Sequence, residues 1–176
     1  ILSGGDPLAL SDNKLASLVS DIEKISHIKR LRIHTRLPVV LPERIDKHLL
    51  QWMADSRLQI IMVIHANHGN EIDLEVGLAL NQLQQVGCQL LNQSVLLKGI
   101  NDDVDSLVDL SERLADTGVM PYYLHLMDRV AGASHFDVDE KLGITLIEKL
   151  RNVLPGYLVP RLVREIQGEA SKTSIS

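Results

Sequence analysis

The sequence predicts an α/β fold built from repeated strand–helix units. Four apolar, β-rich runs, Arg30–Arg36, Gln59–Ala66, Gln89–Leu97 and Val119–Met127, begin about 30 residues apart, the length of one strand–helix unit. Between them, apolar residues recur at helical spacing. Such alternation builds a parallel sheet covered by helices. An open doubly wound sheet and a barrel both satisfy it. A third observation favours a partial (β/α) TIM-like barrel. Polar residues gather at successive strand ends: Asp6, then His34 and Arg36, then His65 and His68, then Asn92 and Gln93, then His125 and Asp128. A barrel carries its active site on that rim, whereas an open sheet concentrates it at one switch point.

Ile1–Gly5 reads as the end of a buried strand entering a tight turn, which implies a longer chain shortened on its N-terminal side. Ser11 suits an N-cap for a helix with the stripe Leu15, Leu18, Val19, Ile22 and Ile25. Pro42 suits the first turn of the next helix, whose stripe is Ile45, Leu49, Trp52 and Met53. Ile72, Val76, Leu80, Leu83 and Val86 form a third stripe, closed by Gly87. Val104, Leu107, Val108 and Leu114 form a fourth, closed by Gly118, since a helix end favours a left-handed residue. A fifth helix runs from Asp139 to Val153, ahead of Pro155. Tyr157–Ile166 is extended, and Gly168–Ser176 is a polar tail. The expected division is residues 1–155 as the partial barrel and 156–176 as the extended segment and tail.

The 176 residues suffice for one core, and with aromatics at 3% that core must be aliphatic. A net charge of −5 gives no footprint for nucleic acid. No apolar run approaches the roughly 20 residues of a membrane span. The single cysteine, Cys88, forms neither a disulfide framework nor a cysteine metal site within this chain, and fits a reducing, cytoplasmic setting. An incomplete barrel exposes a sheet edge, which predicts self-association into a homo-oligomer or repair of the edge by the tail.

Individual residues carry several chemistries. Ser3-Gly4-Gly5-Asp6 lets backbone approach a ligand closely, and Asp6 could accept from an amino group; the plainer reading is a β-turn with a capping Asp. His65 and His68 have a metal-compatible spacing without a third ligand, so no metal is expected there. Asn92-Gln93-Ser94 interrupts an apolar strand, and either a ligand or neighbouring strands must satisfy it. Asp128 ends a strand and could cap a helix or pair with Arg129. Lys172, in a polar tail, reads as a solvated charge.

Six segments together resemble the radical-SAM lysine 2,3-aminomutase family: SGGDPL (Ser3–Leu8), RIHTRLPVVLP (Arg32–Pro42), NQSVLLKGIND (Asn92–Asp102), PYYLHLMDRVAGASHF (Pro121–Phe136), GYLVP (Gly156–Pro160) and Ser171-Lys172-Thr173. They cover most of the chain in the family's order. The wording from His125 to Phe136 and from Arg164 to Thr173 is similar to the branch that makes (R)-β-lysine for elongation factor P.

The resemblance implies a partial barrel of the radical-SAM type. It also implies an isomerase that moves the amino group of lysine, its substrate, with a [4Fe–4S] cluster, S-adenosylmethionine and pyridoxal phosphate. Lys172 matches the lysine that holds pyridoxal phosphate. Asp128 and Glu165 match carboxylates that grip the substrate ammonium, although fermentation-type members carry Asp where Glu165 stands. Ser3, Gly4, Gly5 and Asp6 match the strip that binds S-adenosylmethionine. His65 and Gln93 match cofactor-lining residues, and His125 replaces a Tyr. The family's CxxxCxxC cluster loop is absent from these residues, so the fragment is expected to be inactive alone. A non-catalytic β/α domain that binds a small ligand is the alternative reading. A non-radical barrel enzyme using Asp128 and a histidine as acid and base is a third.

Overall fold

The computed structural model describes residues 1–127, 134–166, 168, 169 and 171–175. In chain order the elements are α1 (Asp12–Glu23), β1 (Arg30–His34), α2 (Leu37–Val40), α3 (Lys47–Asp55), β2 (Gln59–Ile64), α4 (Leu74–Gln85), β3 (Gln89–Leu96), α5 (Val104–Asp116), β4 (Met120–Leu126), α6 (Glu140–Val153), β5 (Arg161–Arg164) and β6 (Thr173–Ser174). The strand order in the sheet is the chain order. β1 pairs with β2 and β4 with β5 in parallel, while β6 runs antiparallel to β5. The strand–helix alternation read from the sequence is therefore present, and parallel neighbours are joined through helices as parallel pairing requires.

Contacts divide the chain into two compact units. The first comprises Ile1–His65, Asp73–Leu91 and Thr117–Val119. Its core is aliphatic: Leu15 of α1, Ile33 of β1, Leu49 of α3, Met62 and Ile64 of β2, and Leu80 and Leu83 of α4 are fully buried. Leu2 forms a parallel bridge to Ile33, as a strand end would, but Ile1 is 72% exposed, so the expected burial does not extend to it.

Pro42 does not begin the second long helix. It opens a short 3-10 turn, Pro42–Arg44, and Ile45 leaves helical geometry at φ −84°, ψ 76°. α3 starts instead behind Asp46, whose carboxylate accepts from the N–H groups of His48 (2.8 Å) and Leu49 (2.9 Å). The Leu49 bond leads the effects that hold Asp46 below the usual carboxylate range. Ser11 occupies the N-cap position of α1 but its side chain accepts no cap bond from the helix N–H groups. Gly87 and Gly118 follow α4 and α5 with φ of +82° and +70°, the left-handed closure expected of them.

The second unit comprises Ala66–Ile72, Asn92–Asp116 and Met120–Ser176. Leu96, Leu107, Leu124, Leu126, Leu146, Ile147, Leu150 and Leu162 form its core. Polar side chains organise the segments above it. Asn92, 1% exposed, accepts from the Ala66 N–H (2.9 Å) and donates to the Ala66 carbonyl (3.0 Å). Asn101, wholly buried, donates to the carbonyls of Asn67 (2.8 Å) and Val95 (2.9 Å) and accepts from the Leu97 N–H (2.7 Å). Asn67 in turn accepts from the Val95 N–H (2.8 Å). These amides satisfy backbone groups that the loops leave unpaired.

Replacing Asn101 by Ala strips partners from one buried N–H and two carbonyls. The expected cost is about 2–3 kcal/mol, read as a lower urea midpoint at unchanged slope. A loss below about 1 kcal/mol would show that water serves those groups as well as the amide does.

Candidate active site

Three groups of side chains were singled out by sequence, and the structure treats them differently. At the N-terminal turn, Gly4 and Gly5 take φ of +85° and +63°, where side chains with a Cβ are strained. Ser3, Gly4 and Gly5 are exposed. Asp6 is tied into the fold. One carboxylate oxygen accepts from the Leu8 N–H (3.0 Å) and the Thr35 hydroxyl (2.6 Å), and the other from the Arg36 N–H (2.7 Å). Arg44 pins the following turn, donating to the Leu8 carbonyl (2.7 Å) and to Asp12 (2.7 Å). The structure thus realises the plainer reading of Asp6, a capping carboxylate.

His68 is also committed locally. Its Nδ1 accepts from the Asn70 N–H (3.1 Å), while Glu71 accepts from the N–H groups of Asn67 (2.6 Å) and His68 (3.0 Å). This is a capping box, which commits His68 Nδ1 to the backbone. His65, directly after β2, is half-buried, and Gln93 is buried within β3. Asn92 spends its amide on Ala66, and the Asn92–Ser94 triplet lies inside β3 rather than at its end.

The third group does converge. Two tail residues, Thr173 and Ser174, pair with Arg164 and Val163 of β5, and His125 of β4 is in register with Val163. His125, Val163 and Ser174 therefore lie in one row across three strands. That row delivers Lys172 to the ends of β4 and β5. Its Nζ lies 3.3 Å from His125 Nε2 and donates to Glu165 (3.1 Å). The same nitrogen sits 5.7 Å from the centre of the Tyr123 ring, within cation–π range. Tyr123 stacks on Tyr122 and meets His125 edge-on, with ring centres 3.8 and 5.8 Å away. Lys172 is 26% exposed and Glu165 64%, so the amine is half-buried and the carboxylate opens outward. Asp128 lies outside the described residues.

Beside this cluster is a cleft of about 490 Å³ lined by Met127, Asp137, Asp139, Glu140, Arg164 and Glu165 among others. Arg164 is turned to Glu140 (2.7 Å). Asp139 caps α6 by accepting from the Lys141 N–H (2.7 Å). Carboxylates outnumber cations in this lining, which suits a cationic ligand group.

Two sequence signals were too weak to find this arrangement. A two-residue strand has no readable periodicity, and Tyr123 reads as ordinary strand apolarity. Chemically, the cluster offers a shielded primary amine between a carboxylate and an imidazole, with an aromatic face nearby. It fits an aldehyde cofactor such as pyridoxal phosphate. These 176 residues contain one cysteine, where three thiolates would be needed to hold an iron–sulfur cluster. The one cysteine, Cys88, is buried, and burial pushes its thiol from 9.0 to about 12, away from the thiolate a cluster needs. No group of metal-ligating side chains occurs among the described residues, and no helix among them is long and apolar enough to cross a membrane.

The comparisons with known proteins supply the class first. A radical SAM methyltransferase from Sphaerobacter thermophilus superposes with a TM-score of 0.56 and 13% identity, over 78% of this chain and 41% of that one. That likeness concerns the fold alone. With strands in chain order and helices between them, the architecture is a partial TIM-like barrel of the radical-SAM type. No family model matches the chain. Curated relatives narrow the class. The chain is 52% identical to the L-lysine 2,3-aminomutase of Haemophilus influenzae over 98% of its length, and 51% identical to that of Escherichia coli over 99%. It is 39% identical to the L-lysine 2,3-aminomutase of Clostridium subterminale over 99%. The chain is thus homologous along nearly its whole length to the L-lysine 2,3-aminomutases, the family its motifs resemble. It spans 51% of the first two relatives and 42% of the third.

Cys88 gives a direct check on burial. A raised thiol means that the fold favours the protonated form. The associated stability is whole below the free-thiol value and is lost as pH climbs from 9.0 towards about 12. Near neutral pH, iodoacetamide should therefore label Cys88 at least about tenfold more slowly in the folded chain than in urea. Equal rates would refute its burial.

Proposed function

We propose that this chain carries the barrel half and the cofactor lysine of an L-lysine 2,3-aminomutase, an isomerase that interconverts L-α-lysine and β-lysine. The observation that carries the reading is the set of contacts around the half-buried Lys172 amine. Lys172 Nζ meets Glu165, His125 and the Tyr123 ring at once, a setting that would hold an amine in place for an aldehyde cofactor. Lys172 Nζ would hold pyridoxal phosphate there. When bound, pyridoxal phosphate takes up the substrate amino group and carries it between neighbouring carbons.

The chain's own residues then divide the remaining work. Glu165, opening onto the acidic cleft, accepts the substrate's distal ammonium, with Asp128 as the second carboxylate by resemblance. Glu165 has one more methylene than the aspartate of fermentation-type members, which favours a different substrate reach. Ser3, Gly4 and Gly5 serve S-adenosylmethionine through backbone, and Asp6 serves it chiefly by holding that turn. By resemblance, His65 and Gln93 match residues that line the cofactor space in the family. Cluster thiolates are supplied from outside these 176 residues, which contain one cysteine. The 176-residue chain alone is accordingly inactive in S-adenosylmethionine cleavage. The β-lysine product serves elongation factor P modification, in the cytoplasm.

Incubation with pyridoxal phosphate followed by borohydride tests the assignment. Mass spectrometry of the digested chain should find the pyridoxyl group concentrated on Lys172, and Lys172→Ala should abolish that site without redistributing the label. Even labelling of Lys172 and exposed lysines such as Lys14 and Lys29 would overturn the reading.

A further inference from the structure

We infer that His125 is a positioning and proton-accepting residue for the Lys172 amine, the group that makes this lysine reactive at neutral pH. The inference deepens the reading of Lys172 as the cofactor lysine and takes its significance from it. A lysine ammonium cannot bond to carbon, because its nitrogen has no free electron pair. Something must take a proton from Nζ first. His125 Nε2 lies 3.3 Å from Nζ, and an ammonium only donates, so in the tautomer that leaves Nε2 unprotonated the imidazole accepts from the charged amine. The reach is within that expected of a general base.

The placement follows from the sheet. His125 is in register with Val163, and Val163 with Ser174, two residues beyond Lys172. The backbone pairing that fixes β6 thereby fixes the distance from amine to imidazole. Edge-on contact with Tyr123 orients the imidazole. Among the described residues, the other charged or titratable groups near the amine include Glu165, Tyr123, Arg164 and Glu169. Glu165 accepts from Nζ at 3.1 Å. Tyr123 presents its ring face. Arg164, the charged neighbour on β5, is turned away to Glu140 of α6, and Glu169 of the tail is exposed.

The step balances. His125 takes one proton from the Nζ ammonium, and the freed lone pair bonds to an aldehyde carbon. The carbonyl oxygen leaves as water, carrying two protons that began on the nitrogen, one returned through His125 and one passed directly. His125 ends neutral, and no electrons change hands.

Reductive methylation tests this without pyridoxal phosphate, so its failure is separable from failure of the cofactor assignment. The chain is treated with formaldehyde and cyanoborohydride across a pH series, and the methylation rate at each lysine is read by mass spectrometry. In the unmodified chain, Lys172 should react ahead of Lys14 and Lys29 near neutral pH. Its rate should step up through the histidine range, which for a free imidazole centres at about 6.5. His125→Gln should slow Lys172 about tenfold or more near neutrality and converge on the unmodified chain at alkaline pH. Glu165→Gln should act oppositely and speed it. His125→Asn serves should the glutamine variant fold poorly, and the profile of the unmodified chain is informative without any variant. A Lys172 profile that parallels those of Lys14 and Lys29 overturns the inference. So does an unchanged rate in the His125 variants, and so does a slowing equal at every pH, which would leave His125 a steric prop.

Discussion

The antiparallel pairing of Thr173 and Ser174 with β5 is the constraint on which the candidate site depends. It is a small ladder, two residues against Arg164 and Val163, extended by the Ile175 N–H donating to the Leu162 carbonyl (2.9 Å). Ordering each tail residue costs about 1–2 kcal/mol of backbone entropy, and a few net hydrogen bonds at about 1 kcal/mol each barely offset it. Side chains supply the rest. Ile175 packs against the core of the second unit, and Lys172 closes onto Glu165 and His125. The tail is therefore held close to the balance point. Any group that binds at Lys172 would add its binding free energy to the docked state of the tail.

Carboxylates and amides in this chain fall into two kinds, and their bonds separate them. Asp6, Asp46, Asp73 and Asp139 each accept from backbone N–H groups at the start of a turn or helix. Asn92 and Asn101 complete the hydrogen bonding of neighbouring backbone. Such groups are poor candidates for binding a ligand, because a ligand would have to replace the bonds they already make. Glu165 is different. It is mostly exposed, opens on a cleft, and bonds to a side chain, Lys172, that can be exchanged. Availability, more than residue type or position at a strand end, distinguishes the two.

Much of the architecture was legible because it repeats. Amphipathic stripes such as Leu15, Val19 and Ile22 mark a helix whatever it packs against, and Gly87 and Gly118 mark ends that only a left-handed residue closes well. The illegible parts are short or non-local. α2 has four residues, too few for periodicity, and Leu37-Pro38-Val39-Val40 reads as an apolar run. Pro42 misled because proline suits a 3-10 turn as well as a helix start, and the cap that decided the matter was Asp46. Asn101 looks like any loop asparagine until the carbonyls of Asn67 and Val95 are brought to it. Lys172 was the sharpest case. Its neighbours lie 7 residues away at Glu165 and 47 away at His125, so no window of sequence contains the site, and only the family resemblance singled it out.

The cluster around Lys172 sets two demands against each other. An ammonium beside Glu165 gains an ion pair, though a modest one, since the carboxylate is largely in water. The same nitrogen reacts only after losing that charge. A more buried carboxylate would bind the ammonium tightly and silence it; without a carboxylate the tail would lose one of its few anchors. An exposed Glu165 on one side and an imidazole on the other reconcile the two. The ion pair is strong enough to place the amine and weak enough to be given up when the proton passes to His125. The partial burial of Lys172 and the exposure of Glu165 are thus one arrangement, in which the carboxylate that holds the amine is itself screened by solvent.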